Sequence, residues 1–232
     1  MHPDHTGGND TVRRAGITIT GANVAGNLTD ASSGAAIIGH ENVLNRLSAY
    51  REAARGPVRR GGRPITYVTG QNELYFNDEA IETRWQPAAR TDGDSFVVFR
   101  RSDVVATGDI FVTISYPFID LERGGSIQGE LDALNNLLDI AISKHEEEGG
   151  TYIVPGHGRI CDEFDVLEYR DMVTIIRDRV QNAIKKGVTL DRIKTMGLTK
   201  DYDARWSAKE GFGTADNFIS AIYKSLTAAV KK

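Results

Sequence analysis

Three short segments carry residue types able to hold a metal ion: His2-Pro3-Asp4-His5, Thr107-Gly108-Asp109 and Pro155-Gly156-His157-Gly158. Imidazole nitrogens and carboxylate oxygens suit a borderline cation such as zinc. A hydrolytic site needs, besides such ligands, an open coordination position where water is acidified toward neutral pH. The glycines beside Asp109 and His157 let the backbone turn sharply, so that both side chains can reach one point. The segments are far apart in sequence, and each is expected at the end of a strand, where a fold can bring them together.

His2-Pro3-Asp4-His5-Thr6-Gly7-Gly8-Asn9 resembles the tail of the HxHxDH signature of the metallo-β-lactamase superfamily. Thr107-Gly108-Asp109 and Pro155-Gly156-His157-Gly158 resemble the bridging-aspartate and terminal-histidine motifs of the same superfamily, in the same order. The resemblance runs along the whole chain, including the helices after His157. It implies an α/β fold, a four-layered αβ/βα sandwich with the metals at the edge between two sheets. It also implies a metal-dependent hydrolase that directs activated water at an ester, thioester, amide or lactam carbonyl of a small-molecule substrate.

Carried over residue by residue, the resemblance implies that Asp4, His5 and His157 hold the second metal, that Asp109 bridges, and that His2 serves the first. Asp4 is also the implied catalytic group, orienting the water or accepting its proton. The expected cofactor is zinc, one or two ions, with the second site the better occupied. Two departures weaken the first site. The first histidine of HxHxDH would fall upstream of Met1, and the histidine expected before Thr91-Asp92-Gly93-Asp94 is Arg90. A guanidinium is permanently cationic and has no lone pair to offer a metal. The strands that open the superfamily's sandwich have no counterpart, so the expectation is a single, N-terminally truncated domain over 1–232. A degenerate, non-catalytic remnant of the fold is the alternative to the hydrolase.

The positioning elements follow from periodicity. Short β-like runs are expected at 17–20, 35–38, 65–69, 74–76, 80–85, 96–99, 104–106 and 152–154, bounded by turn residues such as Asn77-Asp78. Apolar residues at helical spacing predict helices over 41–54, 126–145, 163–186, 189–195 and 214–230. Gly149-Gly150 is expected to end the second of these and Asp162 to cap the third. Polar segment 9–14 reads as loop leading toward a helix, and 21–34, 55–63 and 199–214 as loops.

The chain has 232 residues, 40% hydrophobic and 26% charged, with a net charge of −4, and so can bury a sizeable core but offers no basic footprint for nucleic acid. No apolar run is long enough to cross a bilayer, and no leader is visible; a cytoplasmic location is the default expectation. Other chemistry-bearing residues have plainer readings. His40 is expected to cap a helix start, His145 to sit at a helix C-terminus, and Cys161 to pack as a small hydrophobe. Tyr116 to Asp120 reads equally as substrate-facing loop or aromatic core.

Overall fold

The computed structural model describes residues 3–16, 34–54, 65–67, 70–145 and 149–229. Expectations for 17–20, 21–33 and 55–63 lie outside the described residues.

Two short helices, α1 (Pro3–Thr6) and α2 (Asn9–Ala15), open the description; α2 takes in the polar segment 9–14 that reads as loop. Its helical signal is an i,i+4 ion pair, Arg14 to Asp10 at 2.6 Å, rather than an apolar stripe. Strand β1 (Ile38–His40) lies two to three residues later than expected, leads directly into α3 (Glu41–Ala54), and pairs in parallel with β2 (Ile65–Tyr67).

A five-stranded sheet follows, in the order β3 (Gln71–Phe76), β4 (Glu79–Trp85), β5 (Ser95–Phe99), β6 (Val104–Gly108) and β7 (Tyr152–Pro155). Neighbours are antiparallel except β6 and β7, which run parallel. Asn77 and Asp78 both take positive φ, 53° and 59°, which closes the β3–β4 hairpin with the handedness that twisted strands favour. Alternation along β5 and β6 buries Phe96, Val98, Val105 and Thr107.

The parallel crossover from β6 to β7 contains a 3-10 turn (Leu121–Arg123) and helix α4 (Ile127–Ile140). Helices α5 (Glu163–Lys185), α6 (Leu190–Lys194), α7 (Asp203–Trp206) and α8 (Ala215–Ala229) come after β7. The core joins sheet to helices: Phe96, Val105 and Ile153 share one buried cluster with Leu134, Leu137, Tyr169, Val173, Ile176 and Phe218. Among the described residues no helix is long and apolar enough to cross a membrane.

Three further expectations are corrected: α7 lies inside 199–214, expected as loop, and the other two concern α4 and Gly149-Gly150. Helix α4 stops at Ile140, five residues short of His145. The chain turns extended at Ala141, and residues 142 and 151 pair through Ile142 N–H to Thr151 Oγ1 (2.8 Å) and Thr151 N–H to Ile142 O (2.9 Å). Gly149-Gly150 therefore serves that turn, not a helix end, and His145 stands exposed beyond α4. Asp162 does cap α5, in a reciprocal capping box with Asp165.

Candidate metal centre

Asp109 directly follows β6 and His157 lies two residues beyond β7, so the parallel pairing places both at one sheet edge, the carboxyl end of adjacent strands. Gly108 takes φ +54°, the left-handed conformation that turns the chain out of β6. Gly156 packs against that turn, its N–H donating to Gly108 O at 2.8 Å, and a Cβ at 156 would lie 2.0 Å from Asp109 Oδ1. The glycines flanking the two ligand types thus serve close approach as well as turning. His5 arrives from α1, 104 residues away in sequence, and its Nε2 lies 2.9 Å from Asp109 Oδ2.

These three side chains form one group. His157 Nε2 is 3.4 Å from Asp109 Oδ1, the two imidazoles meet edge-on at 5.6 Å, and one ligand atom from each residue lies within 4.8 Å of the others. Asp109 is the enclosed member, its side chain 6% exposed against 33% for His5 and 44% for His157. Its Oδ1 is buried without a hydrogen-bond partner. A buried carboxylate oxygen that makes no hydrogen bond, its contact with His157 being 3.4 Å long, suits a cation or an ordered water. Two imidazoles and a carboxylate brought this close together are a donor set that zinc accepts. His5, Asp109 and His157 could therefore hold a metal ion. His2 lies outside the described residues, and of Asp4 only its backbone place in α1 is described.

Arg90 enters the same site. Its Nη1 lies 2.6 Å from Asp109 Oδ2, the oxygen that His5 also meets, and the guanidinium stands 5.4 Å over the Phe118 ring. Only 12% of its side chain is exposed. The segment that holds Arg90 is fixed by backbone contacts: Asp120 N–H donates to Arg90 O at 2.9 Å, and Ser126 N–H donates to Ala88 O at 2.9 Å. A buried guanidinium needs compensating charge, and carboxyl groups surround this one. Asp94 accepts from Thr91 N–H at 2.5 Å, yet burial pushes its carboxyl up to about 6. Glu130, fully buried on α4 with neither carboxyl oxygen hydrogen-bonded, is pushed well above the usual range by burial and by Asp94.

Glu130 is the functional-site neighbour least visible in the sequence, although a signal exists. It falls on the apolar stripe Ile127, Leu131, Leu134 of α4, where a carboxylate is out of place. The remaining candidates resolve into structural roles. His40 is buried, its Nδ1 accepts from Asn42 N–H at 3.3 Å at the start of α3, and its ring stacks on Trp85 at 4.3 Å; burial lowers its pKa. Cys161 is 4% exposed, with its thiol pushed up to about 12 by burial, which suits packing and not nucleophilic chemistry. Tyr116 is core, bonded to Asp203 Oδ1 at 2.9 Å and stacked on Phe218, whereas Phe118 faces a cleft.

Sequence comparison finds no match to a family model or to a curated protein. Solved structures do match. A metallo-β-lactamase family protein from Thermus thermophilus superposes with a TM-score of 0.54 at 14% identity, over 88% of this chain and 70% of that one. The stereoselective inverting sec-alkylsulfatase from Pseudomonas sp. gives a TM-score of 0.50 at 16% identity over 70% of this chain, and a double mutant of that sulfatase gives 0.51 at 15%. This chain covers 26% of the sulfatase's length. The sheet order, the ligand-bearing edge and these superpositions agree on one architecture: the chain has the metallo-β-lactamase fold.

Proposed function

We propose that the chain is a metal-dependent hydrolase acting on an ester, thioester, amide or lactam carbonyl of a small molecule, with one metal ion held by His5, Asp109 and His157. The observation that carries this reading is the buried Asp109 carboxylate, met by the His5 imidazole at Oδ2 and by the His157 imidazole at Oδ1, with Oδ1 making no hydrogen bond. His5, Asp109 and His157 would hold zinc, and the chemistry supplied there when it is bound would be Lewis acidity toward water and the carbonyl. The chain's own residues do the rest. Asp109 fixes the two imidazoles and provides the enclosed negative charge. Asp4, next to His5 in α1, is proposed as the group that orients water and takes its proton. Arg90, beside Asp109, offers fixed positive charge to a carbonyl oxygen as it becomes anionic.

One observation favours a second reading. Arg90 already occupies Asp109 Oδ2, as an internal ion pair would in a fold that has given up its metal. Metal content by inductively coupled plasma mass spectrometry, on the full chain and on Asp109→Ala, separates the two. About one zinc per chain, lost in the variant, is the expected result for a site of this donor set. No metal in either sample removes the hydrolase reading and leaves the remnant.

A further inference from the structure

Beside the metal centre lies a cleft of 660 Å³ between the loop around Phe118 and one face of α8. Its volume falls in the range that encloses small organic ligands. The cleft touching His5 and Asp109 shares two residues with it, Arg90 and Arg123, so the two spaces meet at a pair of guanidinium groups. The Phe118 and Phe212 rings meet at 4.5 Å, tilted by 40°, and Pro117, Leu121 and Ala221 extend the apolar wall. Phe212 is 69% exposed, standing between Gly211 and Gly213, with most of its ring left for something other than the core to cover.

The charges around this apolar wall are unequal. Asp120 is buried and held by its contacts with Arg123, through both the backbone N–H and the guanidinium. Arg123 remains 42% exposed, and Lys224 is exposed on α8. Three cations, Arg90, Arg123 and Lys224, line the cleft against two carboxylates, the buried Asp120 and the exposed Glu122. An aromatic slot bordered by guanidinium groups is complementary to a hydrocarbon body that ends in a negative charge.

We infer that this cleft binds an amphipathic monocarboxylate, with its ring or chain against Phe118 and Phe212 and its charge toward Arg90 and Arg123. Hydrolysis of an ester or thioester yields such an acid. The cleft therefore sets the substrate class of the proposed reaction, an aryl- or alkyl-acyl group; this last step rests on the hydrolase reading, and binding of the acid does not.

The test is a saturation-transfer NMR titration of the full chain in chelator with 4-phenylbutyrate, the neutral 4-phenylbutan-1-ol and acetate. The acid should bind about ten-fold more tightly than the alcohol, and acetate should show no saturable binding. Phe212→Ala, at an exposed ring, should weaken the acid about ten-fold, and Lys224→Glu about three-fold. Equal binding of acid and alcohol, no binding of the acid, or binding untouched by Phe212→Ala in a folded chain would each overturn the inference. Zinc-loaded protein is then offered 4-nitrophenyl 4-phenylbutyrate. Acid binding without hydrolysis keeps the cleft and removes this acyl ester as the substrate class, whereas hydrolysis without acid binding keeps the hydrolase and retires the cleft.

Discussion

Replacing Arg90 by glutamine should make the protein less stable without zinc and more responsive to it. Arg90 Nη1 sits 2.6 Å from Asp109 Oδ2, so an ion bound by that carboxylate must be accepted next to a permanent positive charge. At a separation of about 5 Å and an effective dielectric constant of about 40 for this partly exposed edge, one and two positive charges repel by about 3 kcal/mol, or about two decades in Kd. Arg90→Gln removes that repulsion and should tighten zinc binding by about that factor. The same change leaves Asp109, 6% exposed, without its cation, which should cost about 1–3 kcal/mol in the metal-free state. Calorimetric titration gives the affinity, and thermal melts with and without zinc give both stabilities. The expected pattern is a lower Tm without metal and a larger zinc-induced rise. An unchanged zinc affinity in a folded Arg90→Gln chain would refute the argument, because it would mean that the metal does not use Asp109.

Two further perturbations probe the same edge. Gly156→Ala would place a methyl group 2.0 Å from Asp109 Oδ1; zinc content should fall well below that of the parent while far-ultraviolet circular dichroism holds, and full retention of zinc would contradict the packing described. Asp94 has a folded-state pKa raised to about 6, so its ionisation costs stability as pH rises from 4 through 6, up to about 3 kcal/mol once complete. Asp94→Asn should gain stability relative to the parent as pH increases across that window, and urea midpoints that run parallel from pH 4.5 to 7.5 would count against it.

Much of this centre is legible in the chain because metal chemistry restricts residue choice. His5, Asp109 and His157 converge as their motifs suggest, and Arg90 sits beside Asp109, where the resemblance expects a ligand. Helices α3 and α5 are readable from apolar spacing and an Asp cap. The errors fall where local pattern is overruled by pairing. Helical spacing continues past Ile140, but Thr151 offers Ile142 a hydrogen bond that ends the helix, a contact invisible to a local window. Glu130 escapes notice because apolar periodicity counts the stripe and passes over its one carboxylate, whose environment depends on Asp94 and Arg90 arriving from the connection between β4 and β5. Nothing in spacing alone announces that Phe212 would meet Phe118 across a cleft.

The parallel neighbours β6 and β7 have a consequence for how the molecule comes together in time. Antiparallel hairpins from β3 to β6 can zip from short turns, whereas β7 can join only after the long crossover through α4 has closed, and His5 must then find Asp109 across 104 residues. Long closures are entropically expensive and therefore late. The residues of the centre are consequently brought together by long-range contacts. During refolding, capture of zinc should trail the return of secondary structure and report the arrival of the finished molecule.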